Sequence, residues 1–123
     1  MNILKIAIRN EQTDFRPGET LEGVAGWQLN QTPERLEARL FWHTQGKGTE
    51  DVEVVASFPF DQPAREEARP FQFQLPDAPF SFSGTLISLI WAVELVAQPG
   101  DHSTRLEIFL SPTGEEINLS ALP

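Results

Sequence analysis

The sequence predicts an all-β fold: a single antiparallel β-sandwich of about eight short strands. Short runs alternate apolar and polar residues along nearly the whole chain, Pro/Gly turns separate those runs, and no stretch has the pattern of an amphipathic helix. One run differs from the rest. Residues 84–97 are apolar on both faces, with Leu86, Ile87, Leu89, Ile90, Trp91, Val93, Leu95 and Val96 between Gly84 and Pro99-Gly100. Leu86, Leu89, Ile90, Val93 and Ala97 also fall at helical spacing. The density of β-branched and aromatic residues favours a central buried strand.

In chain order, residues 3–9 read as a half-buried strand with Leu4, Ile6 and Ile8 inward. Residues 10–19 read as a loop whose Pro17-Gly18 pair makes a turn, Pro setting a negative φ and Gly supplying a positive one. Residues 20–29 put Leu21, Gly23, Ala25, Trp27 and Leu29 on one face; Gly23 and Gly26 weaken a strand unless something packs close against them. After a turn at Gln31-Thr32-Pro33, residues 34–44 direct Leu36, Ala38, Leu40 and Trp42 inward and Glu37, Arg39, Phe41 and His43 outward. Residues 45–49 form a loop tip. Residues 50–60 make a fourth strand with Val52, Val54, Ala56 and Phe58 on one side, and residues 61–69 a polar, mobile loop. Phe71, Phe73 and Leu75 then alternate with glutamines, and residues 76–79 turn the chain into the central run. Leu106, Ile108 and Leu110 mark the next strand, and residues 116–119 a short final one. No repeat or composition break divides residues 1–123, which read as one domain.

Eighteen acidic against nine basic residues give a net charge of −9, which disfavours nucleic acid and anionic membrane surfaces as partners. Without cysteine there is neither a disulfide framework nor a thiolate metal site. Lys5, Arg9 and Asn10 interrupt any signal-peptide core in the first residues. The central run carries Glu94 and falls short of the ~20 apolar residues a membrane span needs. The expectation is a cytoplasmic protein that does not insert into membranes.

Two segments resemble those of arrestin-type domains. Phe15-Arg16-Pro17-Gly18-Glu19, followed by Leu21 and Gly23, is similar to the "PGE…G" segment near the start of that family. Leu75-Pro76-Asp77-Ala78-Pro79-Phe80-Ser81-Phe82-Ser83-Gly84 is similar to its "LP…P.SF.G" segment before the central strand. Their order and separation fit. The resemblance implies an immunoglobulin-like sandwich equivalent to one of the two arrestin lobes, and a non-enzymatic scaffold or adaptor role. The phosphate-reading and ubiquitin-ligase roles of some members are not carried over. The first strand offers only Lys5 and Arg9 as cations, and a chain without tyrosine has no PPxY motif.

Catalytic, cofactor and metal residues are all expected to be absent. His43 and His102 lie on a strand face and in a turn, and neither has acidic neighbours at a ligand spacing. Ser81 and Ser83 lack a nucleophile elbow and read as residues that bond backbone where the strand begins. Gly46-Lys47-Gly48-Thr49 lacks the first glycine of a phosphate loop, because that position is Phe41. Glu66-Glu67 with Arg65 and Arg69 reads as a solvated charge cluster.

Trp27, Trp42 and Trp91 fall on buried faces and read as core. Phe41, Phe109 and Val24 alternate outward. If they meet, they form an apolar patch for an unidentified protein partner or for a two-fold homodimer centred on Phe41. The alternative is a carbohydrate- or ligand-binding sandwich, which needs exposed aromatics at the loop ends. A small hydrolase is disfavoured by the missing nucleophile context.

Overall fold

The computed structural model describes residues 2–46, 50–84, 87–100, 102–113 and 117–118, the last pair by backbone alone. The strands are β1 (Ile3–Ile8), β2 (Asp14–Phe15), β3 (Thr20–Gln28), β4 (Arg35–Gly46), β5 (Val52–Pro59), β6 (Glu66–Gln74), β7 (Phe82–Ser83), β8 (Ile87–Gln98), β9 (His102–Leu110) and β10 (Ile117–Asn118). No α-helix occurs among the described residues. Two sheets pack as a sandwich. The smaller has the order β1-β3-β6; the larger runs β10-β7-β8-β4-β5, with β9 beside β8 and β2 beside β9.

The apolar run is strand β8, and its surroundings explain its composition. β4 pairs antiparallel along its whole length, from Arg35↔Gln98 to Gly46↔Ile87. On its other side β7 meets Leu89, and β9 pairs from Trp91↔Ile108 to Ala97↔His102. Trp91, Val93 and Leu95 are sealed in the core, and the Trp91 Nε1–H donates to the Pro79 carbonyl at 2.8 Å. The facing sheet supplies Leu21, Ala25, Trp27, Phe71 and Phe73. Phe58 of β5 sets its ring 6.5 Å from both Phe71 and Phe73 at steep angles, an edge-to-face arrangement that suits aromatic quadrupoles.

The two segments that resemble arrestin-type domains are bonded to one another. Gly18 takes φ +78°, and Glu19 N–H closes the turn on the Arg16 carbonyl at 3.1 Å. Gly18 N–H donates to the Leu75 carbonyl at 3.0 Å, and Leu75 N–H returns a bond to the Glu19 carbonyl at 2.9 Å. Ser81 then ties the second segment to β9, its N–H donating to the Leu110 carbonyl and its Oγ accepting from Leu110 N–H.

Several expectations are corrected. Residues 10–19 are not all loop, because Asp14–Phe15 pairs parallel with β9 and buries Phe15. The expected loop at 61–69 shortens, because β6 starts at Glu66 and pairs with β3 from Gln28 onward. Its charges are organised. Arg69 forks onto Glu67, at 2.8 Å for the closest approach, and also donates to the Asp61 and Gln62 carbonyls. Of the two glycines of β3, only Gly23 is closely packed. A Cβ there would lie 2.6 Å from the Phe71 ring and 2.8 Å from the Ala7 carbonyl, whereas a Cβ at Gly26 meets nothing within 4 Å.

The largest correction is on β5. Leu40 pairs with Ala56 but Phe41 with Val54, so Val55 is an extra residue in the ladder. One inserted residue reverses the alternation beyond it. Ala56 and Phe58 keep the inward side, while Val52 and Val54 lie opposite His43 and Phe41 and share their outward face.

Gly23→Ala is therefore expected to cost about 1–3 kcal/mol through overpacking, and Gly26→Ala to stay within about 0.5 kcal/mol of the parent, as measured by urea denaturation. A pH dependence also follows. The Arg16 N–H, with the Gln12 side chain, holds the Glu19 carboxyl below its ordinary range. The Ala64 N–H does the same for Glu67, aided by Arg69 against an opposing effect of burial. A depressed carboxyl contributes its stability above the unfolded-state value of about 4.3 and loses it as pH falls through the folded-state value. The melting temperature is expected to drop on acidification below about pH 4.3, and less steeply in Glu19→Gln and Glu67→Gln.

Candidate interaction surface

Phe41 projects outward from the larger sheet, as its place in the alternation requires, but it does not stand exposed: only 4% of its surface meets solvent. The Arg105 guanidinium lies 4.8 Å above the ring, and His43 stacks on it at 5.8 Å and 24°. Ala92 of β8 and Val54 of β5 flank it in register. A cation over an aromatic face is an attractive contact, and the aliphatic stem of an arginine covers apolar surface well. The chain therefore covers this aromatic with its own side chains.

Phe109 is half-buried on β9, on the same outer side as Arg105. Val24 is 46% exposed, but on β3 of the other sheet. The three outward residues do not meet in one patch.

Charge on the outer face of the larger sheet is largely internally matched. Glu37 pairs with Arg39 at 2.7 Å and Glu94 with Arg105 at 3.3 Å, and Arg39 sits opposite Glu94 in the ladder. Beyond Phe41 the face becomes apolar and open. Val52 is 67% and Val54 50% exposed, and Val55 beside them is also exposed. β5 ends the strand order of its sheet, with β4 its one paired neighbour among the described residues. Rings of Phe58 and Phe60 turn the far half of the strand toward Phe71, Phe73 and Trp27 of the other sheet. The near half, residues 52–55, is bordered by Glu50, Asp51 and Glu53, and no cation occurs between Lys47 and Arg65. Alternation alone places Val52 and Val54 inside; the adjacent pair Val54-Val55, which breaks strict alternation, is the one sign of the bulge that the sequence carries.

A second apolar surface lies on the smaller sheet, a groove of about 560 Å³ lined by Ala7, Gly23, Val24, Phe58, Pro70 and Phe71 and edged by the Arg9–Glu22 ion pair. The histidines are far apart. His43 pairs with Ile90 and His102 with Ala97, seven residues along β8, or ~23 Å of strand. His43 is buried, not on the surface as expected; its Nε2 is enclosed with no hydrogen-bond partner among the described residues. His102 Nε2 accepts from Asn2 Nδ2 at 2.8 Å. Among the described residues no group of three or more metal-ligating side chains converges, and no helix is long and apolar enough to cross a membrane. The 47–49 part of the glycine-rich tip lies outside the described residues.

No protein-family model matches this chain, and no curated protein matches it. Among solved structures it is similar to Spo0M, sporulation control protein, from Bacillus subtilis, with a TM-score of 0.64 and 22% sequence identity over 89% of this chain. The match covers 49% of that chain, so the present sequence spans about half its length. At this identity the likeness speaks for the fold, which is the arrestin-like β-sandwich.

Because Phe41 is enclosed, Phe41→Ala is expected to cost about 3 kcal/mol of stability, read as a lowered urea midpoint. A near-neutral result would mean that Arg105 does not cover the ring in solution.

Proposed function

We propose that the chain is a cytoplasmic, non-enzymatic protein-interaction module of scaffold or adaptor type, which meets its partner at the open half of β5. The observation that carries this reading is the exposure of Val52 and Val54 on an edge strand whose outer side pairs with nothing described. Fully burying an exposed valine returns ~1.5 kcal/mol or more, so covering this strand favours association. The likeness to a sporulation control protein supports a regulatory use of the fold.

A two-fold homodimer is the alternative occupant. Its expected centre, Phe41, is already covered within the chain, and a charge of −9 on each copy opposes pairing two copies at β5. The carbohydrate reading loses its aromatics, since Trp27 and Trp91 are buried with their indole N–H groups on backbone carbonyls. The groove on the smaller sheet favours an apolar ligand in its place.

The test is partner capture from cell extract with the parent, with Val52→Lys/Val54→Lys and with Val24→Lys as a control on the other sheet. We expect proteins retained by the parent and the control to fall at least tenfold with the double variant at unchanged melting temperature. Equal retention by all three, or none by any, would overturn the reading.

A further inference from the structure

We infer that β5 takes up its partner by strand addition, and that the added strand alternates apolar and cationic residues. The inference rests on the interaction reading above and adds the binding mode and the partner's chemistry. An edge strand presents a row of unpaired N–H and C=O groups, which an extended segment can complete as the next strand of the sheet. In β5 the open row belongs to residues 52–55, because the remainder closes toward the other sheet through Phe58 and Phe60. The bulge at Val55 interrupts a regular ladder there, so the added strand is short.

The register fixes what the two faces of that strand encounter. Val52 and Val54 lie on the outer face, opposite His43 and Phe41, and ask for apolar side chains beside them. Glu53 lies opposite Trp42 and so points to the other face, where Asp51 and Glu50 are close in sequence. With no cation between Lys47 and Arg65, this face selects lysine or arginine and repels an acidic strand. The same carboxylates disfavour a second copy. Two-fold antiparallel pairing would bring Glu53 near its twin, and like charges opposed across strands are destabilising. The edge is thus protected against its own kind and open to a cationic strand.

The probe is an acetylated twelve-residue peptide alternating lysine and valine, added to the full chain, with amide hydrogen exchange read residue by residue. We expect exchange within residues 52–55 to slow at least tenfold, with affinity falling as salt is raised. The effect should vanish in Glu53→Lys and Val54→Lys and persist in Val24→Lys. A glutamate/valine peptide, or a lysine/valine peptide N-methylated along one edge, should not protect β5. Protection by either control, protection only outside β5, or self-association that protects β5 without peptide would each overturn the proposal. If β5 stays unprotected while partner capture still depends on Val52 and Val54, strand addition fails and the interaction module stands. If that dependence is lost as well, both fail.

Discussion

The fold depends on the antiparallel ladder between β4 and β8, unbroken from Arg35↔Gln98 to Gly46↔Ile87. Every other strand of the larger sheet is placed by it, directly or through a neighbour. β5 pairs with β4, β7 and β9 share the far side of β8, and β2 and β10 follow from those. A strand flanked on both sides and covered on one face by a second sheet has no polar environment over most of its length, which is why β8 reads as a continuous apolar run. Its one acid, Glu94, is on the outer face and answered by Arg105. The ladder also sets the level of the candidate surface, since Phe41, His43 and their β5 partners lie along its second half.

Much of this is legible in the order of the residues alone. The all-β class, the central strand and the inward faces of β1, β3 and the first half of β4 follow from period-two alternation, because a buried face leaves a direct trace in residue order. The turn at Pro17-Gly18 is legible for a different reason: proline and glycine state their backbone angles. The link between that turn and Leu75 is not, since a hydrogen bond between main-chain groups leaves no mark on the side chains that flank it.

The candidate surface is less legible, and each miss has a physical cause. Alternation gives the direction of Phe41 but not its cover, because Arg105 comes from a strand more than sixty residues away in sequence. Val24 is grouped with it by a rule that counts faces and cannot count sheets, whereas Phe109 shares its sheet and its outer side. The same rule points the β5 valines inward, because a bulge changes phase without changing composition. The charges of Glu67 and Arg69 read as merely solvated because the acceptors of Arg69 include the main-chain carbonyls of Asp61 and Gln62, which no residue type announces.

The bulge has a consequence for how such a surface can change. Because Val55 is the one extra residue between Ala56 and Val54, losing it would straighten the ladder and leave Val52 and Val54 opposite His43 and Phe41, with Glu53 still opposite Trp42 on the inner face. The contacts of Ala56 and Phe58, beyond the bulge, would keep their side. Chain length at this position therefore acts as a heritable setting for the regularity of the edge, with the outer face held constant. A one-codon deletion there would turn an interrupted edge into a continuous one in a single step while keeping its outer face apolar, with no substitution among the buried residues on which folding relies.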